Sequence, residues 1–233
     1  MILYVNGDSH SAGAETVSGY CFAEDDPRYR HLGRRPHPEN LAVSYSQKLA
    51  DNLDYDLICE AESAGSNDRI IRTTKEYLKD NTPDLIVIGW ATWEREEFLI
   101  DGVYYQFSGG IKGLHWPIHI KNFYQDWVTN AQPFKRAEFW HEQIHKFHLE
   151  LLDKNINHLF FNSYTAFNHD FIKPINWLDN YIDPYREQGT YYNWLKFQGF
   201  ETVNPTSYHF GADAHQAWAN QLTKIINESI ITK

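Results

Sequence analysis

"PDLIVIGW" (83–90) decides the fold. After Pro83-Asp84 the run is apolar or small at every position. A strand with one wet face alternates polar and apolar residues. One with no polar position is buried on both faces, as in a parallel sheet covered by helices. Working outward, "ILYVN" (2–6), "DLICEA" (56–61) and "HLFFNSY" (158–164) read as strands of the same kind, with Cys59 as a small core residue. Between and after them come helical patterns: "ENLAVSYSQKLADNL" (39–53), "SNDRIIRTTKEYLKDN" (66–81), "PFKRAEFWHEQIHKFHLELLDKN" (133–155) and "GADAHQAWANQLTKIINESI" (211–230). Ser66 is a natural N-cap for the second, and Trp140, Ile144, Phe147 and Leu151 form an apolar stripe on the third. The expectation is an α/β fold whose parallel sheet carries helices on both faces.

Two stretches break the alternation. "EEFLIDGVYYQF" (96–107) sets two β-prone runs around Asp101-Gly102, a hairpin signal. Residues 165–207 are rich in Trp, Tyr, Asn and Pro and lack a period. The expected organisation is one domain over 1–233 with insertions at about 96–130 and 165–207.

The 233 residues carry a formal net charge of −10, which repels phosphate backbones, and no basic cluster offsets it. Nucleic acid is therefore not an expected partner. No apolar run approaches the ~20 residues a membrane helix requires, and the N-terminus lacks the basic and apolar regions of a signal peptide. A protein without membrane contact, made in the cytoplasm, is expected. Two cysteines are no disulfide framework. Eight tryptophans, several of them in the insertions (Trp116, Trp127, Trp177, Trp194), either pack loops onto the sheet or wall a cleft for a ring-shaped ligand. Such loops would also suit a surface buried against another copy or a larger assembly.

In a parallel sheet, ligands bind at the carboxyl ends of the strands. "NGDSHSAG" (6–13) places Ser9 just past the first of these ends. A serine hydroxyl needs a histidine to take its proton, a group to orient that histidine, and N–H donors for the oxyanion. "GADAHQAWANQL" offers Asp213 and His215, which lie on one side if the segment is extended. "AESAGSNDRI" offers the Gly65 amide and the Asn67 side chain near a helix N-terminus. Each has a plainer alternative: Ser9 as a turn residue, Gly65 as a turn, Asn67 as a cap, His215 as an ordinary helical residue. Asp8 reads as a hydrogen-bond partner that fixes the loop rather than as an acid.

"NGDSHSAG", "AESAGSND", "PDLIVIGWATWER" and "DAHQAWA" stand in the order seen in SGNH/GDSL hydrolases, and the chain resembles that family over its core elements. The resemblance implies a three-layer α/β/α sandwich of flavodoxin-like type. It further implies ester hydrolysis, often of acetyl groups on sugars, with Ser9 as nucleophile, Gly65 as the second-block glycine and no cofactor. A small-molecule or glycan ester would be the substrate. "YVNGDSHSAGAE", "RRPHPENLAVS", "SNDRIIRTT" and "IGWATWERE" are similar to a branch encoded by tailed phages of aquatic bacteria, which would add virion association. Two departures stand out. The third-block asparagine falls near Trp93, and the last block reads Asp-x-His instead of Asp-x-x-His. They motivate an alternative, a weakly active or inactive glycan-binding or phage structural module.

His141-Glu142-Gln143-Ile144-His145 fits the zinc-protease pattern. With 12 histidines in the chain such a match arises easily, and Gln143 and Lys146 are too polar for a buried metal helix. No metal site is expected, and His115, His119 and His148 read as surface or insertion residues rather than ligands.

Overall fold

The computed structural model describes residues 1–23, 35–109 and 116–229. The predicted insertion at about 96–130 and the predicted helix over 211–230 therefore extend partly outside the described residues. In chain order, β1 (Ile2–Asn6) leads to α1 (Pro38–Leu41) and α2 (Tyr45–Leu53). Next come β2 (Asp56–Cys59), α3 (Asn67–Tyr77), β3 (Leu85–Trp90) and the pair β4 (Glu96–Ile100) and β5 (Val103–Phe107). Helices α4 (Ile118–Thr129) and α5 (Pro133–Asp153), strand β6 (His158–Asn162), and helices α6 (Tyr191–Phe197) and α7 (Ala212–Ser229) complete the chain.

Strands β2, β1, β3 and β6 pair in that order, all parallel. Because side chains alternate along a strand, each strand supplies both faces. Tyr4, Ile86, Ile88 and Phe160 pack against Ile70 of α3 and against Trp140, Ile144, Phe147 and Leu151 of α5. Leu3, Val5, Val87, Leu159 and Phe161 pack on the other side against Leu49 of α2, Leu195 of α6 and Trp218 and Leu222 of α7. The result is a three-layer α/β/α arrangement. Each large side chain so buried contributes roughly 1.5–3 kcal/mol. Among the described residues no helix is long and apolar enough to cross a membrane.

Several local expectations are corrected. The helix read over 39–53 is two helices, because the Ser44 hydroxyl accepts from the Gln47 amide and starts α2 afresh. Strand β2 is not covered on both faces. It lies at the sheet edge, and Ile58 is 36% exposed. Cys59 is half-buried, its thiol pushed up to about 11 by burial. His148 is not a surface residue: it is buried, with Nδ1 2.8 Å from Nε2 of buried His158. His141 lies 3.0 Å from the Tyr185 hydroxyl, and His119 is exposed beside Asp101.

The hairpin forms around Asp101-Gly102, with β4 and β5 antiparallel. Trp116 and Trp127 pack around Phe107, Trp177 meets His145, and Trp194 meets Trp218. Trp127, Trp177 and Trp194 thus take the packing role, while Trp116 both packs on Phe107 and lines a depression beside Tyr104 and Tyr105.

Candidate active site

The loop after β1 is built to hold one conformation. Gly7 has no room for a side chain, since a Cβ there would lie 2.1 Å from Ser11 Oγ and 2.8 Å from the Gly89 carbonyl. Beyond it the chain coils tightly: the Ala12 amide donates to the Asp8 carbonyl at 3.1 Å, and Ala14 to that of Ser9 at 2.9 Å. The Ser46 hydroxyl donates to the Ser11 carbonyl at 2.7 Å, and that of Tyr45 to Ser11 Oγ at 2.5 Å. One Asp8 carboxylate oxygen accepts from the His10 amide and the other from Arg95, each at 3.1 Å. The coil ends at Glu15, which has a left-handed backbone (φ 62°).

Ser9 opens on a cavity of about 480 Å³ at the carboxyl end of the sheet. The loops after β1, β2 and β3 contribute Ser9 and His10, Ser63 and Ala64, and Thr92 and Arg95 respectively. His209, in the segment before α7, faces the same space.

His209 is held from behind. Its Nδ1 lies 2.5 Å from Glu15 Oε2. A carboxylate only accepts, so Nδ1 carries the proton and donates it. The same oxygen accepts from the Ser207 hydroxyl at 2.6 Å, while Ser207 Oγ accepts from the His209 amide at 3.0 Å. Burial pushes the Glu15 carboxyl up, but the hydrogen bonds from His209 and Ser207 outweigh it, and its pKa falls below the ordinary value. The Nε2 lone pair of His209 is thereby left as the basic site of the ring.

The residues expected from the sequence in these roles, Asp213 and His215, do not line the cavity. Asp213 and His215 are helical, since α7 begins at Ala212. Two helical residues project about 200° apart, so Asp213 is exposed and His215 buried. His215 does not line the cavity. Its Nδ1 accepts from the Tyr45 amide at 3.0 Å, and its ring lies against those of Tyr45 and Tyr191. A neutral ring with an accepting Nδ1 has its proton on Nε2, the wrong tautomer for a base. Burial, then His10 and His209, lowers the His215 pKa to about 3.

Of the expected oxyanion donors, the amides of Ser9 and Gly65 and the Asn67 side chain, the last two are bonded elsewhere. The Gly65 amide donates to the Glu62 carbonyl at 2.8 Å. Asn67 is clasped to Ala91, accepting from its amide at 2.9 Å and donating to its carbonyl at 3.1 Å. His209 and Arg95, which line the cavity, and Glu15, which is bonded to His209, were not singled out by the sequence. His209 had a local signal, because it lies in an extended run ended by Gly211 just before a helix. Glu15 had none, because its partner is 194 residues away.

Neutral buried histidines predict an acid-sensitive fold. His10, His141, His148 and His158 are each lowered from 6.5 to about 4, burial being the first cause. The unfolded chain binds these protons near pH 6.5, whereas the folded chain binds them only near pH 4. The stabilisation is thus complete above about 6.5 and is lost as pH falls through that window. Each proton taken up on unfolding adds a slope of up to ~1.4 kcal/mol per pH unit. Urea midpoints measured from pH 7 to pH 4.5 should fall steeply, and a flat profile would contradict the neutral assignments.

A family model described as "Family of unknown function (DUF6071)" matches residues 24–196, a span that contains neither Ser9, Glu15 nor His209. A search of curated proteins finds no match. Among solved structures, the chain is similar to the acetyl xylan esterase Est2A from the rumen bacterium Butyrivibrio proteoclasticus. That match has 12% identity and a TM-score of 0.44, and covers 97% of this chain and 63% of the other. A carbohydrate esterase family 2 enzyme with a carbohydrate-binding domain from Corynascus thermopiles (Myceliophthora fergusii) matches at 14% identity and TM-score 0.46, over 98% of this chain and 66% of the other. A family two carbohydrate esterase from Clostridium thermocellum, in complex with cellohexaose, matches at 14% and 0.46, over 97% and 63%. The chain spans just under two thirds of the length of each. Neither the fold nor the chemistry rests on these likenesses.

Proposed function

This chain belongs to the DUF6071 family, whose function is unknown, and we propose that it is a serine ester hydrolase of SGNH/GDSL type acting on small acyl esters. The observation that carries the reading is the 2.5 Å bond from His209 to Glu15 behind a ring that shares its cavity with Ser9. In this scheme Ser9 Oγ attacks the ester carbonyl carbon, and the carbonyl π pair moves onto oxygen. His209 Nε2 takes the serine proton and returns it to the departing alcohol. Glu15 holds the tautomer and offsets the imidazolium charge. Water, deprotonated by the same nitrogen, then attacks the acyl carbon, the bond to Ser9 Oγ breaks, and the proton passes from His209 to Ser9 as the acid leaves. The residue three before His209 is Thr206, so the carboxylate comes from the loop of the nucleophile and not from an Asp-x-x-His block.

A carbohydrate ester, with acetyl as the acyl group, suits the surroundings. A second depression of about 450 Å³ shares Ala64 with the cavity and is lined by Tyr104, Tyr105 and Trp116 beside the Arg72–Glu97 ion pair. Aromatic faces beside fixed charged donors and acceptors are what sugar rings and their hydroxyls recognise. A fluorophosphonate probe tests the nucleophile. It should label the wild type at Ser9 and leave Ser9→Ala unlabelled, and acetate should be released from an acetylated oligosaccharide only by the former. A wild type that resists the probe and releases no acetate would return the chain to a binding role.

A further inference from the structure

We propose that Arg95 is the side-chain donor of the oxyanion hole. The inference rests on the serine hydrolase reading and extends it to a residue type that the resemblance does not supply. With the Gly65 amide and the Asn67 side chain both committed, a developing oxyanion lacks the donors expected of the loops after β2 and β3. Trp93, at the strand position where an asparagine was sought, is buried and stacked on Phe167.

Arg95 lines the cavity from the same loop, with its side chain 22% exposed. Its Nη1 is fixed by Asp8 Oδ2 at 3.1 Å and lies 3.4 Å from the Gly65 carbonyl. Among the described residues, Nη2 and Nε have no acceptor. Asp8 is 1% exposed and adjoins Ser9, so the ion pair ties the guanidinium to the nucleophile's own loop. A planar group fixed at one nitrogen keeps its other donors in a set direction. Donors placed before the reaction, in a partly dry site, stabilise charge that appears only in the transition state. When the π pair moves onto the carbonyl oxygen, Arg95 meets the new negative charge, and no proton need be transferred to it. The buried Asp8 carboxylate balances the resting cation, which limits attraction for anionic ground states.

The test uses a neutral chromogenic acetate ester with the wild type, Arg95→Ala, Arg95→Met and Arg95→Lys. Arg95→Met preserves the stem should Arg95→Ala fail to fold. The removal variants should lose about 10²-fold in kcat with KM little changed, and Arg95→Lys should keep part of the rate. Millimolar guanidinium should restore turnover to Arg95→Ala, a rescue that a merely structural role would not give. A kcat close to wild type in the removal variants, a loss confined to KM, or failure of rescue in a folded Arg95→Ala would overturn the proposal. A wild type that hydrolyses the ester and labels at Ser9 keeps such a failure separate from failure of the hydrolase reading. An inert wild type would overturn both.

Discussion

Replacing His209 with Gln lowers kcat for an acetate ester by about 10⁴-fold, the upper range for loss of a positioned general base. The substitution removes the imidazole that shares the cavity with Ser9 and takes its proton in the proposed mechanism, and Ser9 itself is retained. The companion variant His215→Gln should behave differently. It removes a buried ring that accepts from the Tyr45 amide, leaving a buried donor in need of a partner. The cost falls on stability, about 1–3 kcal/mol, and the folded fraction should turn over near the wild-type rate. Measuring kcat together with a urea midpoint separates the two histidines. The assignment fails if the rate loss follows His215 instead.

Glu15→Gln lowers kcat by about 10³-fold, an effect of the wrong tautomer more than of lost charge. A glutamine amide at that position can donate to Nδ1, which would drive the His209 proton to Nε2 and abolish the base. Ser207 can still donate to the glutamine carbonyl, so the loop contact survives in part. Asp213→Asn, on the exposed face of α7, should leave kcat and KM unchanged. Steady-state rates at neutral pH decide the matter. A greater loss from Asp213→Asn than from Glu15→Gln would restore the acid assigned by sequence.

The layers were legible because they are written in local patterns. Uninterrupted apolar runs marked β1, β3 and β6, and the stripe from Trp140 to Leu151 marked α5. The edge position of β2 was not legible, since strand order is set by tertiary packing. Helix α6, "YYNWLKF", is short and aromatic and is carried by burial of Tyr191 and Leu195 more than by propensity. That Ser9 faces the cavity at the carboxyl end of the sheet was legible from its place after a strand. The placement of Asp213 and His215 turned on one structural boundary: they share a side only in extended chain, and the extended run stops at Phe210. Asn67 matched a family spelling, yet its position at the first turn of α3 directs it to the Ala91 backbone. Glu15 depends on a contact that spans nearly the whole sequence, which no local pattern encodes.

On the proposed mechanism, the bond between Glu15 and His209 also sets when reactivity can begin during synthesis. A nascent chain that has emerged only as far as residue 200 already carries the hydroxyl and the carboxylate, but no base to join them. On the proposed mechanism, ester cleavage is therefore a late event in the life of the polypeptide, and its onset reports that the segment before the last helix has reached the first loop.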